Sequence, residues 1–120
     1  MVKNFGQLSS GETAHLYSLM TDMLRICVTD FGGTLVSVEV KDKSCEFVDI
    51  TLGYDDVAGY ENDNDCFGFN IGRNANRISN AQFTLNNIKY VLAKNDGENN
   101  LHSGPHLFSK RMWHVTEYRD

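Results

Sequence analysis

Proline is nearly absent from these 120 residues, which hold only Pro105, and cysteine is sparse, with Cys27, Cys45 and Cys66 forming no close pair. Three thiols leave one over however the others pair. That argues against a disulfide scaffold and for a reducing, cytoplasmic compartment, with the thiols as packing residues. No stretch approaches the roughly 20 apolar residues that cross a bilayer, so no membrane partner is expected. The first eleven residues carry Lys3 but place Asn4, Gly6, Gln7, Ser9 and Ser10 where a secretory signal needs an apolar run. Positive charge is also short. Lys and Arg number 11 against 16 Asp and Glu, a net charge of −5, and they are scattered, which argues against nucleic acid as a partner. A Gly-x-Ser-x-Gly elbow, a Walker loop and a paired-cysteine metal pattern are all missing.

What remains is ordinary folding material: 41% hydrophobic and 11% aromatic residues. A chain of this size buries about two-thirds of its unfolded surface, enough for one core. Ten glycines and many Asn and Asp divide it into short pieces without sustained helical spacing, so the fold class is read as all-β. His15 to Leu19 and Leu24 to Val28 flank Thr21-Asp22 as a hairpin, with Leu24, Ile26 and Val28 alternating. Asp30-Phe31-Gly32-Gly33 is a turn, and Thr34 to Val40 a third strand. Phe47 to Leu52 forms another short strand, and the acidic stretch Tyr54 to Asp65 reads as a solvated surface loop. Asn86-Asn87, which tolerate positive φ, join Phe83–Leu85 to Ile88–Leu92 in a tight hairpin. Lys94 to Asn100 reads as loop, and Arg111 to Tyr118 as strand, with the chain stopping at Asp120.

Two segments do not look like strand or turn. Gly72-Arg73-Asn74-Ala75-Asn76-Arg77-Ile78 is either a polar surface loop or a hydroxyl-binding loop. The second reading rests on arginine's rigid fork of donors and on asparagine's paired donor and acceptor, which suit a sugar's vicinal hydroxyls. Asn95 to His106 sets His102 in a Gly- and Pro-bounded loop, where it is either a surface residue or an acid, hydrogen-bond partner or ligand. His102 and His106 are four apart, but Gly104 and Pro105 block the helix that would align them, so no metal site is expected. His15 and His114 fall in strand-like segments without visible partners, and Trp113 is either core or a sugar-stacking surface.

The run Gly72 to Ile78, then Phe83, Tyr90, Asn95, Asn99, Leu101-His102-Ser103-Gly104 and Trp113, resembles the aldose 1-epimerase (galactose mutarotase) family in order and spacing. Asp30 to Leu35 and Leu52-Gly53-Tyr54-Asp55-Asp56 with Gly59-Tyr60 extend the resemblance over nearly the whole chain. It implies an antiparallel β-sandwich that interconverts α and β anomers of hexoses such as galactose and glucose, with a small hexose as substrate and without metal or organic cofactor. It further implies that Asn76 and Arg77 bind sugar hydroxyls, that His102 hydrogen-bonds the sugar beside the reacting centre in a supporting catalytic role, and that Arg73 and Asn74 support the loop.

The same resemblance places the family's general-acid histidine, a binding aspartate and the general-base glutamate in later parts of the fold. None of Glu12, Glu39, Glu46, Glu61, Glu98 or Glu117 aligns with the base. Residues 1–120 are therefore read as the N-terminal portion of one sandwich domain with no internal boundary, inactive alone, with uncovered sheet edges open to self-association. The alternative is a non-catalytic carbohydrate-binding or interaction module derived from that front half. Ser103 stands where the family usually has glycine; at positive φ it would cost on the order of 1 kcal/mol and tilt His102.

Overall fold

The computed structural model describes residues 1–62 and 64–119; Asp63, within the expected surface loop, and Asp120, where the last strand pattern stops, lie outside them. The chain divides into two compact units, residues 1–70 with 110–120 and residues 71–109.

The first unit is a five-stranded antiparallel sheet in the order β1 (Val2–Gln7), β2 (Thr13–Met20), β3 (Leu24–Thr29), β4 (Leu35–Lys41), β5 (Phe47–Asp49). The expected hairpin and third strand are present. Tyr17 faces Val28 and Leu19 faces Ile26, while Ser18 faces Cys27 on the other side. Thr21 closes the turn by accepting the N–H groups of Met23 and Leu24 on Oγ1. A bulge between Cys27 and Val28 skips Val36 in the pairing with β4, and Val36 packs against the core. The Asp30–Gly33 turn uses φ of 72° and 59° at its glycines, and Thr34 donates from Oγ1 to the Phe31 carbonyl at 2.9 Å.

Several expectations need correction. β1 was legible only as a segment unlike a signal; it pairs with β2 through a bulge at Asn4/Gly6, which turns Phe5 into the core. The Tyr54–Asp65 segment contains a helix, α1 (Val57–Asn62), whose Val57 and Tyr60 have no exposed surface. Their i, i+3 spacing puts both on one helical face, and Asp56 accepts the Gly59 N–H at 3.0 Å, so an acidic residue that suggested solvent is a cap. Phe5, Leu8, Ala14, Leu16 and Phe31 complete the core around them, and Tyr54 stands edge-on to Tyr60 at 5.1 Å.

Strand β5 stops at Asp49, short of Leu52, because the Asp49 carboxylate takes the Thr51 N–H at 2.9 Å and the Val38 N–H at 3.2 Å in place of a ladder. Burial pushes that carboxyl's pKa upward, but the Thr51, Val38 and Ile50 donors outweigh it and hold the group below its ordinary value. Arg111 to Tyr118 forms no strand. Its only ladder contact among the described residues is the Phe31–Met112 bridge, since alternation without a continuous partner edge makes no sheet. In this stretch Arg111 accepts the Gly32 N–H and Trp113 donates its N–H to Asp30, and just before it Lys110 donates to the carbonyls of Tyr60 and Glu61. Trp113 is 43% exposed and covers Gly33, so it is not core. His114 is exposed and outside any strand. His15 has a partner after all, with Nδ1 3.0 Å from Asp30. Of the thiols, Cys27 packs on the core, but Cys45 is exposed in a turn at φ 62° and is not a packing residue.

The second unit holds two small antiparallel pairs. β6 (Arg77–Ile78) pairs with β9 (Asn100–Leu101), and β7 (Gln82–Leu85) with β8 (Ile88–Val91). Asn86 and Asn87 make the expected tight turn at φ 51° and 62°, and Phe83 stacks on Tyr90 at 5.1 Å. Within the expected Lys94–Asn100 loop, Asp96 and Asn99 bridge each other and Asn100 opens β9, buried.

Candidate functional site

The site residues expected from sequence lie in the second unit. The two-residue pairing of β6 with β9 sets Arg77 opposite Leu101 and Ile78 opposite Asn100, which brings the 72–77 loop alongside His102. Asn76, at φ 62°, donates its N–H to His102 Nδ1 at 3.0 Å and accepts the His102 N–H on its carbonyl at 3.0 Å. Its side-chain oxygen accepts from Arg77 Nη1 at 3.2 Å. Asn76, Arg77 and His102 thus form one hydrogen-bonded group.

Residues to which sequence reasoning gave no role hold this group in place. Arg77 Nε donates to Asp96 Oδ2 at 2.5 Å, an ion pair exposed enough that its value is orientation more than stability. Asp96 is itself held by its bridge to Asn99 around Gly97. Beside it Lys94 hydrogen-bonds Glu98 and holds that carboxyl below its ordinary value. Asn95 grips the backbone of Leu101 from both sides, Nδ2 donating to its carbonyl at 2.9 Å and Oδ1 accepting its N–H at 2.7 Å. Asn100 reaches the carbonyls of Ala93 and Gly104. The sequence-level signals for these positions are the density of asparagines in the segment and the resemblance, which includes Asn95 and Asn99 without giving them a role.

Asn74 contributes its backbone, bonded to the Ser103 hydroxyl, while Arg73 is exposed. Ser103 does occupy the left-handed region, at φ 59°. His106 lies exposed beyond Gly104, and no group of three His, Cys, Asp or Glu suited to a metal occurs among the described residues. Chemically, the group offers an amide, a guanidinium fixed at Nε and an imidazole fixed at Nδ1: donors and acceptors for neutral hydroxyls, without a free carboxylate at its centre.

Comparison with known proteins gives a concordant result. The family model for aldose 1-epimerase matches residues 15–120. Galactose mutarotase of Bos taurus is 40% identical over 110 residues, covering 91% of this chain and 32% of its own. Aldose 1-epimerase of Streptococcus thermophilus is 33% identical over 116 residues, 96% of this chain and 33% of its own. Among solved structures, an aldose epimerase homologue from C. elegans superposes with a TM-score of 0.80 at 29% identity, over 88% of this chain and 33% of that one. The chain spans about a third of the length of the curated relatives it matches.

Proposed function

The chain belongs to the aldose 1-epimerase family, a family of isomerases, and its strands are the N-terminal part of that β-sandwich fold. From this premise we propose that it supplies the sugar-binding front of a site that interconverts hexose anomers such as those of galactose and glucose. The observation that carries the reading is the hydrogen-bonded group Asn76–Arg77–His102. Ring opening needs one group to protonate the ring oxygen and another to take the anomeric proton. In this reading Asn76 and Arg77 hold the sugar hydroxyls, and His102 hydrogen-bonds the sugar next to the reacting carbon. The acid histidine and base glutamate come from sequence beyond these residues, which are inactive alone and form part of a single domain. The free cysteines suit a reducing, cytoplasmic setting. Strands β1 and β5 are the sheet edges through which copies would pair, which sedimentation velocity over a concentration series would detect as dimer.

The test replaces the matching third of the Bos taurus relative with this chain and follows mutarotation by polarimetry. Arg77→Ala in that hybrid is expected to lower the rate about 100-fold, the scale of losing a donor at a reacting centre. A hybrid whose Arg77→Ala variant keeps the full rate refutes the role of Arg77.

A further inference from the structure

His102 and Ser103 occupy the left-handed region in succession, at φ 53° and 59°, a backbone disfavoured for residues that carry side chains. Something must over-determine it. The Ser103 hydroxyl accepts the Asn74 N–H at 2.8 Å and donates to the Asn74 carbonyl at 3.2 Å, so one side chain engages both backbone groups of one residue. Two residues further on, Asn76 and His102 make their own reciprocal pair, N–H to Nδ1 and N–H to carbonyl, each at 3.0 Å. The two loops are therefore tied twice, 74 to 103 and 76 to 102. An imidazole nitrogen that accepts a backbone N–H carries no proton, so the proton of the neutral ring sits on Nε2.

The structure assigns Ser103 as a positioning residue: by clamping the Asn74 backbone it keeps the Asn76 amide on His102 Nδ1 and so presents His102 as an Nε2–H donor. Glycine at this position would adopt the same backbone freely but bring no hydroxyl. The chain therefore accepts a disfavoured conformation at Ser103 and gains a fixed tautomer at His102. The assignment rests on the proposed contact of His102 with sugar for its purpose, though not for its geometry.

Nitrogen-15 NMR of the 120-residue chain at neutral pH reads the tautomer directly. Nδ1 is expected to show the shift of a bare ring nitrogen and Nε2 that of a protonated one, with the Asn74 amide protected from exchange. In Ser103→Gly, which cannot fail through backbone strain, and in Ser103→Ala, Asn74 exchange is expected to quicken by about tenfold, the size of one lost hydrogen bond. The two ring shifts are expected to converge as the tautomers mix. A wild-type ring protonated on Nδ1, or variants that keep the fixed tautomer, would overturn the assignment. Galactose titrated into the same sample is expected to move Nε2. An unmoved Nε2 with the tautomer intact would overturn the sugar role of His102 and leave the latch standing, whereas mixed tautomers in the wild type would overturn the latch whatever the sugar does.

Discussion

Replacing Gly104 by alanine tests whether the Asn95 clip holds the site. A Cβ at this position would lie 2.1 Å from Asn95 Nδ2, 2.8 Å from its Cγ and 3.2 Å from the Leu101 carbonyl oxygen. Gly104 does not lie in the left-handed region, so the penalty is steric and not conformational. The Asn95 amide must move, and it cannot do so while keeping both bonds to Leu101, at 2.9 and 2.7 Å. Each such bond contributes about 0.5–1.5 kcal/mol net, so losing both costs about 1–3 kcal/mol of local stability. That converts to about 5- to 150-fold faster exchange at the Leu101 amide in native-state hydrogen exchange. Gly97→Ala is the control. It places a Cβ at φ +57° with nothing within 4 Å, so it carries only the backbone penalty of about 1 kcal/mol and should act at Asn99, not Leu101. Leu101 exchange unchanged in Gly104→Ala, or equally fast in Gly97→Ala, would refute the steric argument.

Two further outcomes follow from the first unit. Tyr60 is fully buried, packs against Phe5 and Tyr54, and accepts the Tyr54 N–H on its hydroxyl at 3.1 Å. Tyr60→Ala should cost about 3–5 kcal/mol in urea denaturation, and a loss below about 1 kcal/mol would contradict α1 as a core element. Glu61 accepts the Ser9 hydroxyl at 2.5 Å and the Ser9 N–H at 3.0 Å, which with Lys110 hold its carboxyl below the ordinary 4.5. A depressed folded-state value means the contribution is complete above 4.5 and fades as pH falls through the folded value. The gap in melting temperature between wild type and Glu61→Gln should therefore shrink from pH 6 to pH 3, and a constant gap would count against the contact.

The legible parts of this fold are those decided by neighbours in sequence. Alternation marked β3 and β4, the short run before Thr21-Asp22 marked β2 as a hairpin partner, and Asn86-Asn87 marked the β7–β8 turn, because side-chain period and turn tolerance are local properties. Helix α1 was hidden because six residues show only two buried positions, and the caps around them look like solvent-loving loop. Arg111–Tyr118 misled in the opposite sense, since a strand is defined by its partner edge and, among the described residues, only Met112 finds one. At the site, the resemblance pointed to Asn76, Arg77 and His102. Asp96 stayed unmarked, and Ser103 was marked only as a departure from the family glycine and not as a clamp, because their bonds span 19 and 29 residues and depend on tertiary geometry.

Lys110, Arg111 and Trp113 complete hydrogen bonds of α1 and the Asp30–Gly33 turn, yet the whole of residues 71–109 intervenes in the chain. On the ribosome, β1 to α1 emerge first and must wait, with the Tyr60 and Glu61 carbonyls and the Gly32 amide still bound only to water. The segment that satisfies them leaves the exit tunnel only after residues 71–109 have been made. During that interval the early sheet is the species that chaperones and proteases meet. The unit whose synthesis begins first is thus one whose hydrogen bonds are completed only after residues 71–109 have been made.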